Sequence, residues 1–154
     1  MGGSHGERLH VTVKQAAIEP LDDGSIAIVS AHVAGRTLRE ALRDEGAFQA
    51  ERAARVLRDV AAGLAHAHAA RIVHRDVKPE NVYLAAADGR ALLGDFGIAR
   101  PIDADALLTQ HGAALGTPAY MAPEQVAGRR VDARSDVYAL GLVGWEMLAG
   151  ERPW

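Results

Sequence analysis

Two short apolar runs on either side of a turn mark the first regular structure in the chain. Val11–Ile18 and Ser25–Ser30 are rich in β-branched residues, and residues 21–24 between them are acidic and end in glycine. Alternating apolar runs bounded by such a turn are typical of two paired strands. We therefore predict two strands here, followed by an irregular stretch, residues 31–35, that leads into a helical region.

The helical region begins at a capping box. Thr37-Leu38-Arg39-Glu40 places a hydroxyl three residues before a carboxylate, which predicts a helix start, and this helix should end near Glu45. Apolar residues at helical spacing predict a long helix over Ala50–Ala69. A third helix, apolar almost all round, is predicted to be capped by Ser135 and to stop at Gly150.

Two histidines lie near the end of the long predicted helix. His66 and His68 are two residues apart, so their side chains point about 200° from each other around the helix. They cannot grip one metal ion together. We interpret both as surface or helix-terminal histidines.

A second hairpin is predicted around Asp88-Gly89, a strong turn signal between the short apolar runs 81–84 and 91–94. Counting outward from the turn brings two oxygen-bearing side chains, Asn81 and Asp95, nearly opposite each other at the open end of the ribbon. Two hard oxygen ligands at one point suit Mg²⁺ better than a soft metal.

The loop that feeds this hairpin adds further chemistry. Asp76 is a carboxylate that can accept a proton, and Lys78 is a cation two residues on. Together with Asn81 and Asp95 they form the set of groups that phosphoryl transfer needs, where positioning and charge neutralisation do most of the catalysis. The alternative is a surface hairpin with unrelated acids at its base.

Composition narrows the classes of partner. The chain has 154 residues, 49% of them hydrophobic, which is long enough for one packed core. A net charge of −3 gives no general attraction to nucleic acid. No apolar stretch reaches the length of a membrane span, the amino terminus has no signal-peptide layout, and cysteine is absent. We expect a cytoplasmic protein that has no membrane segment and does not bind nucleic acid.

The motifs occur in an order that resembles the eukaryotic-type serine/threonine protein kinases, especially their bacterial members. The segments that carry the resemblance are His74–Asn81, Asp95–Gly97, Gly116–Glu124, Ser135–Gly141 and Glu146–Gly150. It covers about residues 25–154 and implies an α+β, protein kinase-like fold. Residues 1–33 would be a remnant of the β-rich small lobe, ending at the start of the hinge. Residues 34–154 would be the mainly helical large lobe.

The resemblance assigns roles to the residues of the loop and hairpin. Asp76 is similar to the catalytic aspartate that orients the substrate hydroxyl and takes its proton, and Lys78 to the lysine that contacts the transferring phosphate. Asn81 and Asp95 correspond to the two magnesium ligands. The implied activity is transfer of the γ-phosphoryl group of ATP to a hydroxyl of a protein substrate, with Mg²⁺ as cofactor.

The nucleotide would also meet the hinge. By resemblance, the backbone around Ala31 and Val33 contacts the adenine edge, and Tyr83 lies where the family has an aliphatic floor to the adenine pocket. A flat aromatic ring can still stack there.

Regulation is implied by three further residues. Thr109 is the only hydroxyl between Gly97 and Gly116, and a phosphate on it would pair with Arg75. The alternative for Thr109 is an exposed loop threonine. Thr117 is similar to the threonine that hydrogen-bonds the catalytic aspartate and lysine.

One further acid has an expected structural role. Asp136 resembles the aspartate that accepts hydrogen bonds from backbone amides of the catalytic loop. The alternative for this residue is compensation of the helix dipole.

Two parts of the family pattern are missing from the sequence. There is no G-x-G-x-x-G phosphate loop, and Lys14 lies too near the hinge to be the nucleotide-binding lysine. We therefore expect weak or no activity from these 154 residues alone. The later helices of the large lobe are also absent from the sequence, so we expect the apolar face of the last helix to be exposed and to favour association. The alternative functions are a non-catalytic, kinase-derived binding module and a small-molecule phosphotransferase of related fold.

Overall fold

The computed structural model of the chain describes residues 16–20, 26–30, 32–95 and 118–152. The strands are β1 (Ala16–Pro20), β2 (Ile26–Ser30), β3 (Gly35–Thr37), β4 (Val82–Ala85) and β5 (Ala91–Leu93). The helices are α1 (Leu38–Glu45), α2 (Ala50–Ala69), α3 (Pro123–Val126) and α4 (Ala133–Ala149). The described residues also contain two 3₁₀ turns, Pro79–Asn81 and Pro118–Tyr120. No described helix has both the length and the apolar character needed to cross a membrane.

The first predicted strand pair is confirmed. β1 and β2 are antiparallel, with Ala16 opposite Ser30 and Pro20 opposite Ile26. The first strand continues two residues past its predicted end at Ile18, and its predicted beginning, residues 11–15, lies outside the described residues.

The second sheet has three strands in the order β3-β4-β5, all antiparallel. The hairpin β4–β5 is the predicted one, although β4 starts at Val82 because Asn81 closes a 3₁₀ turn. β3 was not predicted, since three residues that include a glycine carry no periodic signal. It adds an edge to the hairpin and leads directly into α1.

The helix signals were mostly accurate. Thr37 forms the predicted capping box: its Oγ1 accepts from the Glu40 amide at 3.2 Å, and Glu40 Oε2 accepts from the Thr37 amide at 2.8 Å. The hydrogen bonds that the Thr37 amide and hydroxyl donate to its carboxylate lower the pKa of Glu40. α2 has the predicted bounds, and α4 ends at Gly150 in the left-handed region, with φ of 76°.

The predicted cap of the last helix was wrong. Asp132, not Ser135, is the N-cap of α4, and its carboxylate accepts from the Arg134 amide at 2.9 Å. The hydrogen bonds from Arg134 lower the pKa of Asp132 to about 2. Ser135 lies in the first turn, is buried, and donates its hydroxyl to Glu124 instead. Both residue types favour caps, so sequence alone did not separate them.

A hydrophobic core lies between the three-stranded sheet and the helices. Side chains from α1, α2, β4, β5 and α4 form it, among them Leu38, Val60, Val82, Val143 and Met147. α2 packs against both β5 and α4.

The outer face of α4 is apolar and open. Val137, Trp145 and Leu148 are 61%, 56% and 54% exposed. The exposed apolar face predicted for this helix is therefore present in the described part of the chain.

Gly35 provides a test of the three-stranded sheet. A Cβ at this position would lie 2.1 Å from the carbonyl oxygen of Leu84, a backbone atom of β4. Gly35→Ala is therefore expected to lower the free energy of unfolding by about 3 kcal/mol, because β3 must move away from β4.

Gly141 is the matched control. It is an exposed residue within α4, and an added Cβ would meet nothing within 4 Å. Gly141→Ala should raise the free energy of unfolding by about 0.5–1 kcal/mol through helix propensity. Urea titrations followed by circular dichroism measure both values, and equal effects from the two changes would contradict the sheet geometry.

Candidate active site

A buried carboxylate in the first turn of α4 holds the loop that precedes β4. Asp136 is 1% exposed and accepts hydrogen bonds from the backbone amides of His74, at 2.9 Å, and Arg75, at 2.8 Å. The predicted interaction of Asp136 with the loop is thus confirmed, and compensation of the helix dipole alone does not account for it.

His68 is the third partner of this carboxylate. Its Nε2 lies 2.7 Å from Asp136 Oδ2, and its side chain is 18% exposed. His68 thus lies in the last turn of α2, which confirms the helix-terminal alternative of its predicted placement, but it is part-buried and not on the surface. The apolar spacing that predicts α2 gives no sign of a partner 68 residues away in the sequence.

His74 connects the loop to the far end of the hairpin. Its Nε2 lies 2.9 Å from the carbonyl oxygen of Gly94, and its Nδ1 lies 3.3 Å from the backbone nitrogen of Asp76. A carbonyl only accepts and an amide only donates, so the neutral Nε2–H tautomer satisfies both contacts. Burial lowers the pKa of His74, which keeps the ring neutral.

The register of the hairpin brings the two predicted magnesium ligands near each other. Val82 pairs with Leu93, and the Gly94 amide donates to the carbonyl oxygen of Asn81 at 2.9 Å. Asn81 is therefore opposite Gly94, and Asp95 follows one residue beyond the end of the ladder. This confirms the sequence prediction that Asn81 and Asp95 lie nearly opposite each other.

Three predicted site residues meet at one carboxylate. Asp76 Oδ2 lies 2.8 Å from Lys78 Nζ and 3.0 Å from Asn81 Nδ2. Asn81 Nδ2 also donates to the Asp76 carbonyl oxygen at 2.7 Å. Because Nδ2 makes both contacts, the amide oxygen Oδ1 faces away from Asp76 and can accept a cation. Asp76 is 46% exposed, so its carboxylate is open to a substrate.

Asp95 is exposed at the end of β5 and adopts a φ of 55°. Its Oδ2 accepts from the Tyr83 hydroxyl at 3.2 Å. Partial burial, together with the negative charge of Asp95, raises the pKa of Tyr83. The carboxylate and amide oxygens of Asp95 and Asn81 are a donor set that fits Mg²⁺.

The remaining predicted residues fall in different places. Arg75 is half-buried with φ of 68°, and Val33 is half-buried just before β3. Ala31, Thr109 and Thr117 lie outside the described residues.

An arginine that sequence reasoning missed links four segments. Arg39 donates to Glu80 Oε1 at 2.8 Å, Glu146 Oε1 at 2.5 Å and the Tyr120 hydroxyl at 2.6 Å. Tyr120 in turn donates to Glu146. Burial works to lower the pKa of Arg39, but the hydrogen bonds outweigh it and the pKa is raised. One signal was available: Glu146 is a charged residue within an apolar helix, and it is buried.

Removal of this arginine should be costly. Arg39→Met leaves two carboxylates near each other without a cation, one of them almost fully buried, and we expect a loss of about 3–5 kcal/mol in the free energy of unfolding. Arg43→Met is the control on the same helix, because Arg43 is exposed and its ion pair among the described residues is with the exposed Asp44. The control should change the free energy of unfolding by less than about 1 kcal/mol. Equal losses in urea titrations would count against the network.

The neutral state of His74 should make stability depend on pH. Its pKa is lowered in the folded chain, so the unfolded chain binds more protons below about pH 6.5, and the free energy of unfolding falls as the pH is lowered. Between pH 7.5 and 5.5 this residue should account for up to about 1.4 kcal/mol of lost stability.

His74→Gln removes the titrating ring but keeps an amide donor for Gly94. The loss of stability that His74 causes as the pH is lowered should therefore disappear. His66→Gln, the same change at an exposed position of α2, should retain it. Urea titrations at several pH values measure the difference, and parallel pH profiles for the two variants would refute the neutral His74.

Comparison with known proteins gives one family. A model of the protein kinase domain matches residues 10–154. Serine/threonine-protein kinase PknL of Mycobacterium tuberculosis is 48% identical over 122 residues, which cover 79% of this chain and 30% of PknL. Probable serine/threonine-protein kinase PknB of Corynebacterium glutamicum is 43% identical over 128 residues, covering 82% of this chain and 20% of that protein.

A solved structure gives the same result for the fold. The crystal structure of the Mycobacterium tuberculosis PknI kinase domain matches with a TM-score of 0.73 at 33% identity, covering 94% of this chain and 53% of that one. The chain thus spans under a third of the curated relatives and about half of this kinase domain. The predicted α+β kinase-like fold is confirmed. With a match over nearly its whole length, the chain belongs to the protein kinase family.

Proposed function

We propose that this chain is the catalytic segment of a serine/threonine protein kinase, which transfers the γ-phosphoryl group of ATP to hydroxyls of a protein substrate. The observation that carries the proposal is the meeting of Lys78 and Asn81 at the Asp76 carboxylate, with Asn81 opposite Gly94, the residue before Asp95. The names of the relatives PknL and PknB support it.

Each residue has a chemical task in this proposal. The Asp76 carboxylate orients the substrate hydroxyl and accepts its proton, and its exposed side gives the hydroxyl access. Lys78 holds positive charge next to the transferring phosphate. Asn81 and Asp95 hold Mg²⁺, which supplies charge neutralisation at the phosphates when it is bound.

The nucleotide and regulatory assignments stay predictions. Val33 and Ala31 would border the adenine, with Tyr83 beneath it. Thr109 would be a phosphosite that pairs with Arg75. Thr117 would hydrogen-bond Asp76 and Lys78. The lobe boundary between residues 33 and 34 is proposed on the same basis.

The cellular setting follows from the substrate. A kinase segment that uses ATP works where ATP is abundant, so we propose a cytoplasmic location. The exposed apolar side chains Val137, Trp145 and Leu148 of α4 support association of this chain with another surface.

Magnesium-dependent nucleotide binding tests the assignment of the two ligands. With Mg·ATP at ten times its dissociation constant, the melting temperature should rise by about 4 °C, since bound ligand stabilises the folded state. Asp95→Asn should remove most of the shift, and Asp76→Asn should retain it because Asp76 is not proposed to bind the metal. A shift that is independent of Mg²⁺, or one unchanged in Asp95→Asn, would contradict the proposal.

Single-turnover transfer to a general protein acceptor tests catalysis. The sequence has no phosphate loop, so we expect slow transfer, and Asp76→Asn should abolish what remains. Equal slow transfer by the chain and by Asp76→Asn would favour a non-catalytic binding module. Robust transfer would refute the expected weak activity and support the kinase assignment.

A further inference from the structure

The side chain of Gln125 in α3 joins two segments that are far apart in the sequence. Its Oε1 accepts from the backbone amide of Ala122 at 3.0 Å, and its Nε2 donates to the carbonyl oxygen of Arg75 at 2.8 Å. One partner is a donor and the other an acceptor, so only one orientation of the amide satisfies both. Capping of α3 accounts for the contact of Oε1, whereas the contact of Nε2 reaches into the loop before β4.

The residue that receives this hydrogen bond has an uncommon backbone conformation. Arg75 has a φ of 68°, in the left-handed region that costs a non-glycine residue about 1 kcal/mol or more. Such a conformation persists where the surroundings hold it. Asp136 Oδ1 holds the Arg75 amide at 2.8 Å, and Gln125 holds its carbonyl. Both polar groups of the Arg75 backbone are therefore fixed by other elements.

The carbonyl of Arg75 and the amide of Asp76 belong to the same peptide plane. Because a peptide is planar, a hydrogen bond to that carbonyl also sets the direction of the Asp76 amide, which points at His74 Nδ1. Asp76 then presents its carboxylate to Lys78 and Asn81. The chain of contacts runs from α3 to Asp76 through one peptide group.

We propose that Gln125 is a positioning residue that sets the orientation of Asp76 from the segment 118–126, a role that rests on the proposed kinase function. When Ala122 and Gln125 are ordered, the Arg75 peptide is held and the Asp76 carboxylate faces Lys78 and Asn81. When that segment is displaced, the Arg75 carbonyl loses its hydrogen bond from Gln125, and this peptide is held less firmly. Order in the segment is thereby communicated to the proposed catalytic base.

Gln125→Glu tests the bridge with an isosteric change. One carboxylate oxygen still accepts from the Ala122 amide, but the other faces the Arg75 carbonyl oxygen, and neither can donate. At pH 7.5 we expect the backbone amide resonance of Asp76 and the side-chain amide resonance of Asn81 to move in ¹⁵N–¹H spectra. Hydrogen exchange at the Asp76 amide should become about tenfold faster. Lowering the pH toward about 5 protonates the new carboxyl, which then donates, and the native resonances should return.

Two further variants keep the test specific. Gln49→Glu makes the same chemical change at an exposed position whose side chain forms no capping bond, so the Asp76 and Asn81 resonances should stay native at both pH values. Gln125→Met retains the length of the side chain without any polar group. It should displace the resonances at both pH values, with no recovery in acid.

Phosphoryl transfer supplies the functional readout. Under single-turnover conditions with Mg·ATP, the rate for Gln125→Glu at pH 7.5 should be about tenfold below that of Gln49→Glu, with the same affinity for Mg·ATP. Displaced resonances together with a rate equal to that of Gln49→Glu would overturn the positioning role.

The spectra decide the bridge on their own. Resonances that stay native in Gln125→Glu, or that move without recovering in acid, would overturn the inference. That result does not depend on whether the chain binds ATP or on whether transfer is fast enough to measure. Failure of magnesium-dependent ATP binding would instead count against the proposed function and leave the measured bridge in place.

Discussion

The buried carboxylate of Asp136 is the constraint on which the site depends. A carboxylate removed from water is tolerated where donors surround it, and Asp136 has two backbone amides and His68 as partners. The two amides belong to consecutive residues of a loop without regular structure, so one side chain of α4 fixes the path of the backbone just before Asp76. Because three separate groups donate to the carboxylate, a different path of the loop would leave some of these hydrogen bonds unmade.

His74 then fixes the position of the loop relative to the hairpin. Its two ring nitrogens contact the Gly94 carbonyl and the Asp76 amide, so the residue before Asp95 and the proposed base are held by a single imidazole. The register of the β4–β5 pairing then leaves little freedom in the position of Asp95, which follows β5 in the sequence. The proposed proton acceptor and metal ligands are thus placed by a loop anchor and a strand register acting together.

Features encoded within a few residues were predictable from the sequence, whereas of the contacts between distant residues described above the one between Asp136 and the loop was expected from the family resemblance. The capping box at Thr37, the bounds of α2 and the hairpin around Asp88-Gly89 all arise from neighbours along the chain. The placement of Asn81 and Asp95 nearly opposite each other followed because hairpin register is a local property.

The wrong helix cap and the contacts that were missed have a common physical cause. Ser135 was expected to cap α4, but tertiary contact with Glu124 uses its hydroxyl, and Asp132 caps instead. His68 and Arg39 carry no local sign of partners 68 and 107 residues away. The network around Arg39 contains two carboxylates and one guanidinium, and Glu80 Oε2 is buried without a hydrogen-bond partner among the described residues. Well-packed apolar side chains often give equal stability at such a site. We therefore infer that the network aligns the elements it joins. Hydrogen bonds from one planar guanidinium are directional, so they fix relative positions in a way that apolar contacts do not. The elements joined are α1, the 3₁₀ turn Pro79–Asn81, Tyr120 and α4.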